Sequence, residues 1–218
     1  MKIESYVEPL SGLTRLRDAE SKLCFTRIVA GLCWPKLVTP GAIVALAEDA
    51  RADAIDGIRV LHLVEYVAEA DVEQLLELAS QIAPLADDSL GRSAVSVWVG
   101  NPWHPFHSRL RPFNARLTQE ARPRIHLRPA PGIGKGWQVL EDWLPYLQRR
   151  IVGRAALLLK NRDLIAKIED AGRDVRRKIE DFPAVAALVW AIAYCDERAA
   201  MQRQPKEQSE NSGNVAGY

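Results

Sequence analysis

Short apolar runs closed off by glycine, proline or charge alternate with stretches of helical periodicity along this chain. That alternation confines it to a layered α/β fold. Residues 42–47 are an unbroken apolar run, opened by Pro40-Gly41 and ended by Glu48-Asp49. Residues 59–67 and 94–99 are further β-rich runs, the second stopped by Gly100-Asn101-Pro102. Between them Val72, Leu75, Leu76, Leu78, Ala79 and Ile82 fall at helical spacing behind Asp71, an N-cap, and Pro84 ends the pattern. The long connection 100–123 has room for a helix over 109–119. A short strand at 124–128, a helix at 137–150 and a strand at 155–159 follow. Asp163 caps a helix that starts at 164 and reaches 169 or runs on to 179. Pro183 fits the first turn of a last helix ending near 201. Residues 11–23 read as a short helix or as irregular chain. Residues 23–33 are mostly apolar and are closed by Trp34-Pro35.

These 218 residues suffice for one domain with its own core. The expected division is an N-terminal extension over 1–40, an α/β domain over 41–201 and a polar, disordered tail over 202–218. Net charge is +1 but unevenly spread. Residues 1–108 hold 9 Lys/Arg against 15 Asp/Glu, and residues 109–178 hold 17 against 7. A basic middle of this kind suits either an anionic partner or neutralisation by the acidic half. Cys24, Cys33 and Cys195 form neither a disulfide framework nor a CxxC pair, which suits a reducing cytoplasm. No leader pattern opens the chain, and no apolar run approaches the about 20 residues needed to cross a bilayer. A cytoplasmic protein without a membrane partner is therefore expected.

The order of elements over 94–195 resembles the RNase H-like nuclease domain of phage terminase large subunits. The resemblance rests on the 94–99 strand, the Gly134-Lys135-Gly136 loop before a helix, the 155–159 strand, Leu164-Ile165 opening a helix, and the closing Asp181-Phe182-Pro183-Ala184-Val185-Ala186-Ala187-Leu188-Val189-Trp190. It implies an RNase H-like mixed central sheet flanked by helices, with residues 41–93 forming its early part. It also implies two-metal chemistry, in which carboxylates from separate strands and the last helix hold Mg²⁺ or Mn²⁺ about 3.5–4 Å apart. Glu48 or Asp49, Glu65 and Asp181 are the candidate catalytic carboxylates. Asp49 and Asp181 are the candidate metal ligands, and Glu65 is expected on the strand face that carries Leu61 and Leu63. Two acids of the family pattern are missing: Gly100-Asn101 follows the 94–99 strand, and Ala186 stands where the last helix would carry an aspartate. Asp181 lies five residues earlier, roughly 140° around a helix from Ala186. An asparagine or alanine does not replace a hard anionic ligand. The resemblance thus points to a degenerate relative that binds DNA or phage packaging and assembly partners without a metal cofactor. The alternatives are an endonuclease with a rearranged acidic site and a non-catalytic assembly module.

Other groups bear on nucleic-acid binding. Trp103, with Arg109 and Arg111, offers base stacking and phosphate contacts. Lys135 sits in a glycine loop that lacks the spacing and hydroxyl of a P-loop. Arg173, Arg176 and Arg177 form a basic cluster within one and a half turns of an expected helix, suited to a phosphate backbone or to a solvated face. His104 and His107 have no second pair to complete a zinc site, and a proline-stiffened loop accounts for them.

Overall fold

The computed structural model describes residues 3–7, 9, 14–50, 59–82, 97–122, 124–133, 136–151, 157–158 and 161–203. Eight strands join in one sheet among these residues. They are β1 (Ile3–Val7), β2 (Thr14–Asp18), β3 (Cys24–Cys33), β4 (Gly41–Asp49), β5 (Leu61–Ala70), β6 (Val97–Gly100), β7 (Leu127–Pro129) and β8 (Leu157–Leu158). The helices are α1 (Val72–Ile82), α2 (Leu110–Gln119), α3 (Leu144–Ile151), α4 (Arg162–Ala171) and α5 (Pro183–Arg203).

β3 is the organising strand. It pairs antiparallel with β4 from Phe25 to Cys33, and β4 pairs antiparallel with β5. On its other edge Val29–Leu32 run parallel to β6, which pairs parallel with β7. The central order is therefore β5-β4-β3-β6-β7, three antiparallel strands followed by two parallel ones across the first. This is the RNase H-like mixed sheet. β8 adds to the outer edge of β5, and β2 pairs antiparallel with Cys24 and Phe25, ahead of β6 on the same edge of β3. The boundary expected at residue 41 needs correction, because residues 24–33 belong to the sheet as its middle strand. Residues 11–23 likewise contain a strand, β2, with Leu16 fully buried and Arg17 half-buried.

Two apolar layers sandwich the sheet. Val29, Cys33, Val44, Leu46, Leu61, Val97 and Val99 meet α5 and its neighbours on one face. Ile28, Ala30, Leu32, Ile43, Ala45 and Trp98 meet α1 and α2 on the other. Both faces being covered, β3 and β4 read as continuous apolar runs without polar alternation. The first half of α5 is apolar all round, and Ala184–Ala193 are buried on every side. Its small residues let it approach very closely: a Cβ added to Gly31 would lie 1.7 Å from the carbonyl oxygen of Ala187. Ala186, with no exposed surface, is packing at this contact.

Local chemistry explains where the elements begin and end. Asp71 and Gln74 cap α1 reciprocally: the Gln74 amide donates to Asp71 at 2.8 Å and the Asp71 amide to Gln74 at 3.0 Å. The 137–150 segment is not one helix. Residue 139 bridges to 178, Leu140–Trp143 form a 3-10 turn, and α3 starts only at Leu144, followed by Pro145, which lacks an amide donor. Asn161, and not Asp163, caps α4 by accepting from the Leu164 amide at 3.0 Å. α4 ends at Ala171, so Arg173, Arg176 and Arg177 lie in the following loop and not on a helix. Among the described residues no helix is long and apolar enough to cross a membrane. The expected tail overlaps the end of α5 at 202–203, and residues 204–218 lie outside the described residues.

Candidate functional site

Three segments converge where β3 and β6 leave the sheet. Trp34 and Lys36 follow β3, Asn101 follows β6, and a 3-10 turn over Ile179–Asp181 brings Glu180 and Asp181 in front of α5. The Lys36 ammonium donates to Asp181 Oδ1 at 2.9 Å and lies 3.6 Å from Glu180 Oε2. Asn101 Nδ2 donates to Glu180 Oε1 at 3.0 Å, and its Oδ1 accepts from the Trp103 amide at 3.0 Å. Trp34 Nε1 donates to the Asn101 carbonyl at 3.2 Å, tying the two strand ends together. The His104 ring stacks on Trp34 with centroids 6.3 Å apart. Arg177 closes the group from outside, 3.8 Å from Asp181 Oδ2 and with its guanidinium over the Phe182 ring.

The charges are matched locally. Burial alone would lower the Lys36 pKa, but its hydrogen bond to Asp181 and the charges of Asp181 and Glu180 carry it above the ordinary lysine value. The ammonium therefore persists at neutral pH, and the stability it contributes is lost only as alkali passes its raised pKa. His104 is shifted down by burial, against the pull of Glu180, which favours a neutral ring. Burial raises the Cys33 thiol, with Glu180 adding to the shift, so it stays protonated beneath the site.

The expected carboxylates do not meet. Only Asp181 is in this group. Glu48 registers with Arg27 and Ala42 with Cys33, so Glu48 and Asp49 sit at the opposite end of β3, about 20 Å away at 3.3 Å per residue. Glu48 is ion-paired with Arg27 at 2.6 Å, and Asp49 lies 3.2 Å from His62 Nε2. Glu65 is displaced by a bulge. Leu46 opposes Leu63 but Ala45 opposes Glu65, so the extra residue, Val64, puts Glu65 on the face opposite Leu61 and Leu63, where it is exposed. Among the described residues no group of three or more His, Cys, Asp or Glu is placed to hold a metal ion. The set at the strand ends does not suit Mg²⁺ or Mn²⁺ either: a lysine already bridges its two carboxylates, and the asparagine oxygen is engaged by a backbone amide.

The expected nucleic-acid contacts are scattered. Trp103 is exposed and adjoins the site, Arg109 is ion-paired with Glu73, and Arg111 is exposed on α2. Arg173 pairs with Asp170 at 3.0 Å, Arg176 is exposed, and Arg177 belongs to the site. Lys135 lies outside the described residues. Sequence reading missed Trp34, Lys36 and Glu180 as site residues. The signal that exposes them is the assignment of residues 24–33 as a central strand, which places residues 34–36 at the strand end beside Asn101 and Glu180.

No protein-family model and no curated protein matches the sequence. Among solved structures, the chain is similar to the crystal structure of the yeast mitochondrial Holliday junction resolvase Ydc2, at 9% identity and a TM-score of 0.41, over 84% of this chain and 86% of that one. The likeness assigns neither an activity nor a ligand. The strand order alone makes the fold RNase H-like.

Proposed function

We propose that this chain is a degenerate RNase H-like protein, related to terminase nuclease domains, that binds DNA or packaging partners and does not cleave by a two-metal route. The observation that carries this reading is Lys36, whose ammonium stands between Asp181 and Glu180 and takes the place a divalent cation would need between these two carboxylates. A lysine in that place keeps a positive charge near an incoming phosphate but cannot activate water as a metal does. The terminase relation rests on the order of segments over 94–195, and the basic middle supports an anionic partner.

Supercoiled plasmid and Mn²⁺ test this directly. Wild-type protein is expected to retain DNA at low salt and to leave the plasmid uncut. Lys36→Ala is expected to give Mn²⁺ affinity measurable by electron paramagnetic resonance, since it frees two adjacent carboxylates. Metal-dependent nicking by the wild type, lost in Asp181→Ala or Asp49→Ala, would establish the endonuclease reading instead. An assembly role has one observation of its own: Leu37 and Val38, at the tip of the β3–β4 turn, are fully exposed and line one surface depression with the partly exposed Phe106.

A further inference from the structure

The basic middle of the chain is only partly neutralised, and three of its arginines without a carboxylate partner lie on or near one sheet edge. Six arginines lie between 109 and 128. Arg109 pairs with Glu73, Arg116 with Glu77 at 2.8 Å, and Arg122 with Glu120 at 3.2 Å. Arg111, Arg124 and Arg128 have no carboxylate partner among the described residues. Arg128 lies on β7, which among the described residues pairs only with β6 and forms the margin of the sheet. Its guanidinium donates to the Tyr194 hydroxyl of α5 at 3.2 Å, which holds it toward the α5 side. Arg124 donates to the Thr118 hydroxyl at 2.9 Å, which holds it toward α2. His126, also exposed, lies between them in sequence, and Arg111 stands in the first turn of α2.

We infer that the β7 edge, with Arg111, Arg124 and Arg128, is the surface along which a nucleic-acid phosphate backbone runs, an inference that rests on the nucleic-acid reading above. Arg124, just before β7, and Arg128 on it are oriented by neutral hydroxyls, so their charge is positioned yet not cancelled, as phosphate contacts require. The edge also leads into the candidate site: Pro129 registers with Gly100, immediately before Asn101, and the Ala130 amide donates to the Gly100 carbonyl at 3.0 Å. A strand bound along β7 would thus reach Trp103, whose exposed ring suits a base. Charge on an edge strand also guards against strand addition. That role accounts for Arg128 but not for Arg111, which is on a helix.

The test is the salt dependence of binding to labelled single-stranded and duplex DNA and RNA, read by fluorescence anisotropy. Each phosphate contact contributes a slope of about −0.9 on duplex and about −0.7 on single strands in log affinity against log salt. Arg124→Gln with Arg128→Gln is expected to reduce the slope by about two contacts' worth, whereas the Lys double variant preserves it. Arg116→Gln, also on α2 but ion-paired with Glu77 of α1, serves as the control and is expected to leave the slope unchanged. Circular dichroism establishes that each variant is folded. Wild-type binding with an unaltered slope in the Gln variant overturns the edge assignment and spares the nucleic-acid reading. Absence of wild-type binding to all four probes at low salt overturns both.

Discussion

Gly31→Ala is expected to leave little folded protein. The added Cβ would meet the Ala187 carbonyl oxygen at 1.7 Å, its carbon at 2.5 Å and Cα at 2.9 Å. All three are backbone atoms, so no rotamer change relieves the clash. The only escape is to lift α5 off β3, opening the contact between Val29, Cys33, Val97 and Val99 and the helix. Ordinary overpacking by a methyl costs about 1–3 kcal/mol because side chains can yield. With none able to yield, the loss should exceed about 4 kcal/mol, a large share of the stability of a domain this size. Urea unfolding or the soluble yield reads the effect. A midpoint close to wild type would mean that α5 does not sit on β3 as closely as the structure has it. Ala187→Gly would not rescue the variant, because the obstructing atoms belong to the main chain.

The same contact shows why part of the fold was legible from sequence and part was not. α1 was visible to the residue, because its apolar stripe and the Asp71–Gln74 box are local signals. β4 is legible as an apolar run between turn and charged residues, and β5 as a β-rich run over 59–67, although the strand spans Leu61–Ala70. β3 was not, since burial on both faces removes the alternation that marks a strand, and its pairing with β6 joins residues nearly seventy positions apart. Without β3, residues 34–36 had no place and Lys36 had no role. Glu48 and Asp49 looked like site acids because they end a strand, but β4 is antiparallel to β3 and delivers them to the far end. Glu65 was misplaced by one inserted residue, which period-two counting cannot detect. Ala186 stands out for the opposite reason. Its identity was plain in the sequence, and only the packing of α5 gives it a structural meaning.

Asp196→Ala is the second substitution with a large expected effect, through charge instead of shape. Arg150 and Asp196 are almost wholly inaccessible, with side-chain exposure of 2% each. Arg150 Nε donates to Asp196 Oδ1 at 3.0 Å, a second guanidinium nitrogen donates to the same carboxylate, and a third donates to the Arg59 carbonyl just before β5. The pair thus ties α3 to α5 and to the entry of β5. Beside it the Cys195 thiol, pushed up by burial to about 12, adds no charge at neutral pH. Removing Asp196 strands a buried guanidinium, at a cost of about 3–5 kcal/mol. Replacing both partners, Arg150→Met with Asp196→Leu, removes the desolvation penalty along with the attraction and is expected to be close to neutral. Chemical denaturation of the two single variants and the double variant gives the coupling energy. A single-variant loss under about 1 kcal/mol would show that water reaches the pair and screens it. The pair lies near the start of β5 and the end of β4 that carries Glu48, far from Lys36 and Asn101. The double variant should therefore bind nucleic acid with an unchanged salt slope, so the charge that holds α5 in place is separable from the charge that meets a partner.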